Sequence, residues 1–176
     1  IWFIATYGTT TGQIGNFANE ILQKQNIEIS AYFSVKMPDT WTPTFNLSNK
    51  EHVRKINERA ELQIDSVIDK IINRAIGDYM QRKVPMPIAK WFYNMEYDTM
   101  RKTSHFHVEN TCVGCGLCAQ KCPLSAIDIT NKQPVWNQEQ CVMCLSCLHH
   151  CPKFAIQYGK RTKKHGQYVH FPLSVK

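Results

Sequence analysis

The sequence predicts a mixed fold: an α/β lobe, a long helical linker, and an α+β domain built on an internal repeat. Three observations carry this. Residues 1–35 read as apolar run, amphipathic helix and alternating run, the pattern of a βαβ unit. Residues 48–82 hold a capped apolar stripe of helical period. From residue 105 the chain breaks into short elements around all eight of its cysteines. The expected boundaries are 1–47, 48–104 and 105–176.

Ile1-Trp-Phe-Ile-Ala-Thr-Tyr7 is almost continuously apolar, as expected of a strand buried on both faces of a parallel sheet. A loop follows at Gly8-Thr-Thr-Thr-Gly12. Ile14, Phe17, Ala18, Ile21 and Leu22 then recur at helical spacing, predicting a helix from about 12 to 25 that Asn26 ends. Over 27–35, Ile27, Ile29, Ala31, Phe33 and Val35 alternate with Glu28, Ser30, Tyr32 and Ser34, predicting a half-exposed strand near a sheet edge. Two strands do not make a stable sheet. The chain also opens inside a strand, without Met, so the expectation is a larger α/β domain trimmed at its N-terminus.

Pro38, Asp39 and Pro43 predict a loop over 36–47, although Met37, Trp41 and Phe45 call for burial. Ser48-Asn-Lys-Glu51 reads as a capping box. It opens a helix with Val53, Ile56, Ala60, Ile64, Val67, Ile71 and Ala75 on one stripe, expected to run to about Arg82 and to stop before Pro85 and Pro87. Trp91, Phe92, Tyr93 and Tyr97 predict a short amphipathic helix within 86–101, serving as a core patch or interdomain seal.

The cysteines carry the chemistry. Cys112-x2-Cys115-x2-Cys118-x3-Cys122-Pro123 repeats as Cys141-x2-Cys144-x2-Cys147-x3-Cys151-Pro152, at an offset of 29 residues. Three close cysteines wrap one side of a cubic iron–sulfur core. The fourth, turned away before a proline that locks φ, crosses to the other core. The expected ligand sets are Cys112, Cys115, Cys118 and Cys151 for one [4Fe-4S] cluster, and Cys141, Cys144, Cys147 and Cys122 for a second. Gly114 and Gly116 let backbone approach sulfur, whereas Met143 and Leu145 at the matching places are expected to shield the second cluster. Zinc sites use paired knuckles with a long spacer, which this pattern lacks. His149 and His150 stand beside filled ligand positions and are expected to be surface or hydrogen-bonding residues.

A net charge of +7 by itself suggests an anionic partner such as nucleic acid. Eight bound thiolates and two cores of about +2 each bring the loaded chain to about +3, so nucleic acid is not expected. The remaining excess is local, in Lys160, Arg161, Lys163 and Lys164. No stretch approaches the length of a bilayer-spanning helix, and no signal peptide opens the chain. Two copies of a ligand run, rather than scattered cysteines, point to a reducing, cytoplasmic compartment. No nucleophile–base or acid–base constellation is present, so no side-chain catalysis of bond making is expected.

The cysteine runs over about 105–158 resemble a bacterial two-cluster ferredoxin. The rest narrows the likeness. Ala5-Thr-Tyr-Gly8, Phe33-Ser-Val-Lys-Met-Pro-Asp39, the long charged helix, Ala155-Ile-Gln-Tyr-Gly159 and Tyr168-Val-His-Phe-Pro172 together resemble the EFR family of flavodoxin–ferredoxin fusions. That resemblance implies a partial flavodoxin-like lobe, a ferredoxin-like domain with pseudo-twofold symmetry, and FMN in the intact protein. It places Thr6, Tyr7, Gly8 and Thr9 beside the flavin ring. Thr9-Thr-Thr-Gly-Gln13 is read as this ring loop and not the family's phosphate loop, because Ile14 stands where a further hydroxyl is expected. The implied function is electron relay between a flavin and a redox protein partner, acidic if the basic 160–164 segment docks it. The alternative is a ferredoxin-like docking module of a larger oxidoreductase.

Overall fold

The structure is a computed structural model and describes residues 1–168. The closing motif beyond Tyr168 lies outside the described residues. Backbone contacts divide the chain into two units: Ile1–Asp39 with Asn49–Asn94, and Thr40–Ser48 with the chain from Met95 onward.

The first unit is a three-stranded parallel sheet with helices. β1 (Trp2–Tyr7) leads to α1 (Ile14–Gln23), β2 (Ala31–Lys36), α2 (Lys50–Ile72) and a two-residue β3 (Gly77–Asp78). The order is β1-β2-β3, with Trp2 opposite Ala31 and Tyr7 opposite Lys36. The strand expected near an edge is therefore central: Tyr79 N–H donates to Tyr32 O at 2.8 Å, extending the sheet past it. Burial follows the alternation, with Ala31, Phe33 and Val35 at most 3% exposed. α2 packs along β2 and buries Val53 and Ala60. Trp2 and Ile4, one strand over, stay 43% and 50% exposed, so β1 is not the doubly buried strand expected. The stripe on α1 is uncovered as well: Ile14, Phe17 and Ile21 are exposed. α1 instead meets the sheet through Gly15, where a Cβ would sit 3.3 Å from Cδ1 of Tyr32 on β2.

Helix ends account for two further differences. Asn49, not Ser48, caps α2, accepting the His52 N–H at 2.9 Å. The helix stops at Ile72, well before Arg82. Arg74 turns left-handed at φ 51°. Arg74 N–H bonds Ile71 O at 3.0 Å and Ala75 N–H bonds Lys70 O at 2.9 Å, the paired closure of a Schellman motif. A local cap thus ends the helix before any proline does, and α2 with β3 joins the sheet unit where a linker was expected. α3 (Met86–Met100) forms over the aromatic stretch but is no core patch. None of its residues is buried, and Trp91 is 62% exposed.

The second unit consists of short pieces. After a 3-10 turn at Thr103–His105 come β4 (Phe106–Val108), α4 (Leu117–Gln120), β5 (Ile127–Thr130), β6 (Gln133–Trp136), α5 (Ser146–His149), β7 (Ile156–Tyr158) and α6 (Thr162–His165). β4 pairs antiparallel with β7, and β5 with β6. Phe106, Cys118, Ile127, Leu145, Cys147, Leu148, Ile156 and Tyr158 form the core. Phe106 stacks on Trp136 at 4.8 Å between centroids and meets Tyr158 edge-on at 5.0 Å. So small a core needs help, and cofactor ligation is the usual supplement.

Local conformation recurs at the 29-residue offset. α4 and α5 are four residues each, and the left-handed positions Gly114, Gly116 and Ser125 reappear as Met143, Leu145 and Phe154. The 160–164 segment is no loose tail. Thr162 is fully buried, and Lys163 pairs with Glu109 at 3.0 Å. Among the described residues no helix is long and apolar enough to cross a membrane.

Thr162 pins the turn carrying Cys151. Its hydroxyl donates to Gln157 Oε1 at 2.7 Å and accepts the Tyr158 N–H at 3.0 Å, while Gln157 Nε2 donates to Phe154 O at 2.6 Å. Thr162→Val should orphan two buried partners and cost about 1–3 kcal/mol. A lowered Tm checks this; an unchanged Tm would contradict the pin.

Candidate metal centre

Each cysteine run passes through tight left-handed turns. Gly114 and Gly116 take φ of 66° and 76° without a Cβ penalty. Met143 and Leu145 take φ of 56° and 54°, which costs an L-residue roughly 1–2 kcal/mol each. The offset is packing. Leu145 is 2% exposed in the core, and Met143 packs against that core. Backbone donors already point at sulfur. Ala126 N–H lies 3.3 Å from Cys122 Sγ, Ala155 N–H 3.2 Å from Cys151 Sγ, and Met143 N–H 3.4 Å from Cys141 Sγ.

The predicted ligand residues come together across the sequence. One cavity is lined by Cys112, Cys115, Cys118 and Cys151, with Ile129, Pro134 and Ile156 forming apolar wall. Cys118 senses the charges of Cys115 and Cys151; Cys141 senses those of Cys144 and Cys122. The fourth cysteine of each run is thus near the other run's set. None of the eight is in a disulfide. Among the described residues, no three His, Cys, Asp or Glu groups converge as the ligands of a single ion. Four thiolates on zinc would stand about 3.8 Å apart, given a Zn–S bond near 2.3 Å. Four cysteines lining one cavity, with no three groups converging on a single ion among the described residues, suit a polynuclear iron–sulfur core, so the residues present fit such a group.

The electrostatics favour neutral thiols until a metal displaces the proton. Burial pushes Cys147 up to about 12, helped by the neighbouring Cys144, Cys141 and Cys118. Burial also raises Cys118 and Cys141; for Cys141 the Met143 N–H and the Arg101 charge pull the other way. Loading such a site releases protons, which couples it to pH. His149 is held below its usual value by burial. Its Nδ1 accepts the Tyr168 N–H at 3.1 Å, so neutral Nε2–H donates to Thr40 O at 2.9 Å. His150 bonds Ser146 O at 2.9 Å. Both histidines are engaged away from sulfur.

Thr6, Tyr7, Gly8 and Thr9 belong to the first unit. They occupy the C-terminal end of β1 and the loop after it, with Tyr7 buried and Thr6 and Thr9 exposed. Asp39 folds onto them, so that a Cβ at Gly8 would run into its side chain, and Thr9 Oγ1 donates to its carboxylate at 3.0 Å. Arg101 went unnoticed in the sequence. It is 40 residues from Cys141 yet donates from Nε to the Cys141 carbonyl at 3.1 Å. No spacing rule links two such positions.

Residues 105–152 match the model of a 4Fe-4S dicluster domain. An uncharacterized protein of Methanocaldococcus jannaschii is 44% identical over 55 residues, 31% of this chain and 21% of that one. An uncharacterized polyferredoxin-like protein of the same organism is 36% identical over 62 residues, 28% of this chain and 37% of its own. A subunit of the ion-translocating oxidoreductase complex of Methanosarcina acetivorans is 39% identical over 46 residues, 26% and 17% of the two chains. The chain thus spans well under half the length of these relatives. No solved structure matches it. The C-terminal unit therefore holds a ferredoxin-like 4Fe-4S module.

The two glycines of the first run should differ in tolerance. A Cβ at Gly114 would lie 2.7 Å from both Cβ and O of Lys132, while one at Gly116 meets only Ile129 Cγ1, at 3.9 Å. Gly116→Ala should cost about 1–2 kcal/mol of backbone strain. Gly114→Ala should cost more, with a backbone clash added. Tm and iron retention in air rank the two; a more damaging Gly116→Ala would refute the geometry.

Proposed function

We propose that this chain is an electron-transfer protein carrying two [4Fe-4S] clusters. Cys112, Cys115, Cys118 and Cys151 hold one; Cys141, Cys144, Cys147 and Cys122 hold the other, in halves related by pseudo-twofold symmetry. The observation that carries the reading is the single cavity lined by three cysteines of the first run and the last cysteine of the second. Supporting it are the left-handed turns and sulfur-directed N–H groups that recur at the 29-residue offset.

When bound, the clusters supply one-electron redox chemistry; the protein supplies binding, orientation and electrostatics. The left-handed turns direct amide dipoles toward the sulfurs, favouring their negative charge. Leu145, Leu148, Ile127 and Ile156 pack in one core with Cys118 and Cys147 and keep water from a ligand of each set. Cys115 and Cys144 are the exposed ligands, and Val113 and Val142 beside them are 58% and 50% exposed. These edges are where an electron enters or leaves, to a redox protein partner.

The flavin relay extends the same proposal and rests on the resemblance. In its favour, Thr6–Thr9 end a parallel strand, where open α/β sheets take their ligands. The Asp39 carboxylate on that loop disfavours a phosphate there, which suits the ring loop better than the phosphate loop. A module of a larger oxidoreductase is the second reading, favoured by the match to a component of an oxidoreductase complex.

Anaerobic reconstitution with iron counting and EPR tests the core claim. About eight irons and two interacting reduced centres are expected; two bound zinc ions and no reduced signal would replace it. Cys122→Ala should remove the cluster of the second run, which it does not adjoin in sequence, and leave about four irons. Loss of the first run's cluster instead would overturn the crossed ligation.

A further inference from the structure

The two cysteine runs differ in what backs them. The segment entering the second run is clamped by residues 101–103. Cys141 N–H donates to Arg101 O at 2.9 Å, and Arg101 Nε–H donates back to Cys141 O at 3.1 Å. Lys102 bridges Gln140, Thr103 N–H donates to Glu139 O at 2.9 Å, and the Thr103 hydroxyl donates to Gln138 O at 2.5 Å. Thr103 is 7% exposed, so the clamp is anchored in the unit's interior. The guanidinium carbon lies over the Tyr97 ring, 5.0 Å from its centroid. The Arg101 side chain is thus held by a hydrogen bond and by a ring, beside the first cysteine of the second run.

Among the described residues no cation is hydrogen-bonded beside the first cysteine of the first run; Lys153, which lines that run's cavity, is exposed and screened by water. Cys112 N–H donates to the carbonyl of Glu109 at 3.1 Å, and the Glu109 carboxylate is paired with Lys163. Gln138 stands at the place of Glu109 in the second run. No carboxylate pairs with Arg101 among the described residues, and a guanidinium stays protonated at any working pH. The first run is therefore faced by a neutralised pair and a solvent-screened lysine, and the second by a guanidinium fixed at the edge of the core.

We propose that Arg101 sets the reduction potential of the Cys122, Cys141, Cys144 and Cys147 centre, making it the easier of the two to reduce and the first to hold an electron. This rests on the two-cluster reading above. The step is the transfer of one electron from a low-potential one-electron donor to that centre, with no bond made or broken and no proton moved. The reduced centre carries one more negative charge, and a positive charge fixed beside it lowers the energy of that state relative to the oxidised one. Arg101 acts on the centre through its field and its hold on Cys141; it ligates nothing.

The test is EPR-monitored potentiometry with dithionite on the whole chain, with iron counted first. Wild type should show two separated potentials. Arg101→Gln should lower the higher one, making reduction about tenfold less favourable, or 59 mV for a one-electron couple, and leave the lower one in place. Arg101→Lys should restore most of the shift. If Arg101→Gln loads poorly, Arg101→Met, which keeps an apolar stem over Tyr97, takes its place. Two unmoved potentials at full iron content would overturn the assignment to Arg101 and leave the electron-carrier reading intact. Loss of a cluster in Arg101→Lys would overturn it too, since shape and not charge would then be what the site needs. Absence of iron from the wild type would instead sink the carrier reading, and the proposal with it.

Discussion

Sulfur convergence is the constraint on which the second unit depends. Four thiols from segments more than thirty residues apart line one cavity, and the apolar core is small, so ordering the turns that aim them is expensive. Met143 and Leu145 show the expense most plainly. Each sits in a left-handed conformation that only glycine takes freely, and each returns the cost by packing into the core. Cys147 makes the same point electrically, because a buried thiol that high resists ionisation until a metal takes the proton's place. On the proposed reading, loading a metal there must displace that proton, which couples folding of this unit to loading.

Polar pins hold the frame that the hydrophobic core is too small to hold alone. Thr162 and Gln157 fix the turn behind Cys151, and the Arg101–Thr103 clamp fixes the entry to Cys141. These groups are buried or half-buried with their partners satisfied, so they specify one arrangement rather than merely tolerate it. They also break the likeness between the halves. Backbone conformation repeats at 29 residues, while the surrounding charges do not: Glu109 with Lys163 backs one run, Arg101 the other. On the proposed two-cluster reading, unlike fields give like centres unlike potentials.

The first unit follows different physics. Its parallel sheet is ordered by the alternation of Ala31, Phe33 and Val35 and by the cap on α2. β1 and α1 keep Trp2, Ile4, Phe17 and Ile21 exposed. An apolar run thus marks what a segment is made to bury, not whether cover lies beside it. The alternation over 27–35 was legible because period two survives any neighbour; the strand's central position was not, because β3 is two residues long and carries no pattern. The early stop of α2 was hidden likewise. Arg74 in a Schellman turn has no compositional mark, unlike the glycine usual there.

The sequence by itself determined the eight candidate ligands. Thiol chemistry needs cysteines at a set spacing, the spacing is local, and its duplication is visible letter by letter. It also determined the βαβ order at the start of the chain, since hydrophobic period is likewise local. Tertiary structure alone decided which turns are strained, how far α2 runs, and which charge faces which sulfur. Those outcomes depend on contacts such as Arg101 with Cys141, whose partners are remote in the chain and meet only when the backbone has closed around them.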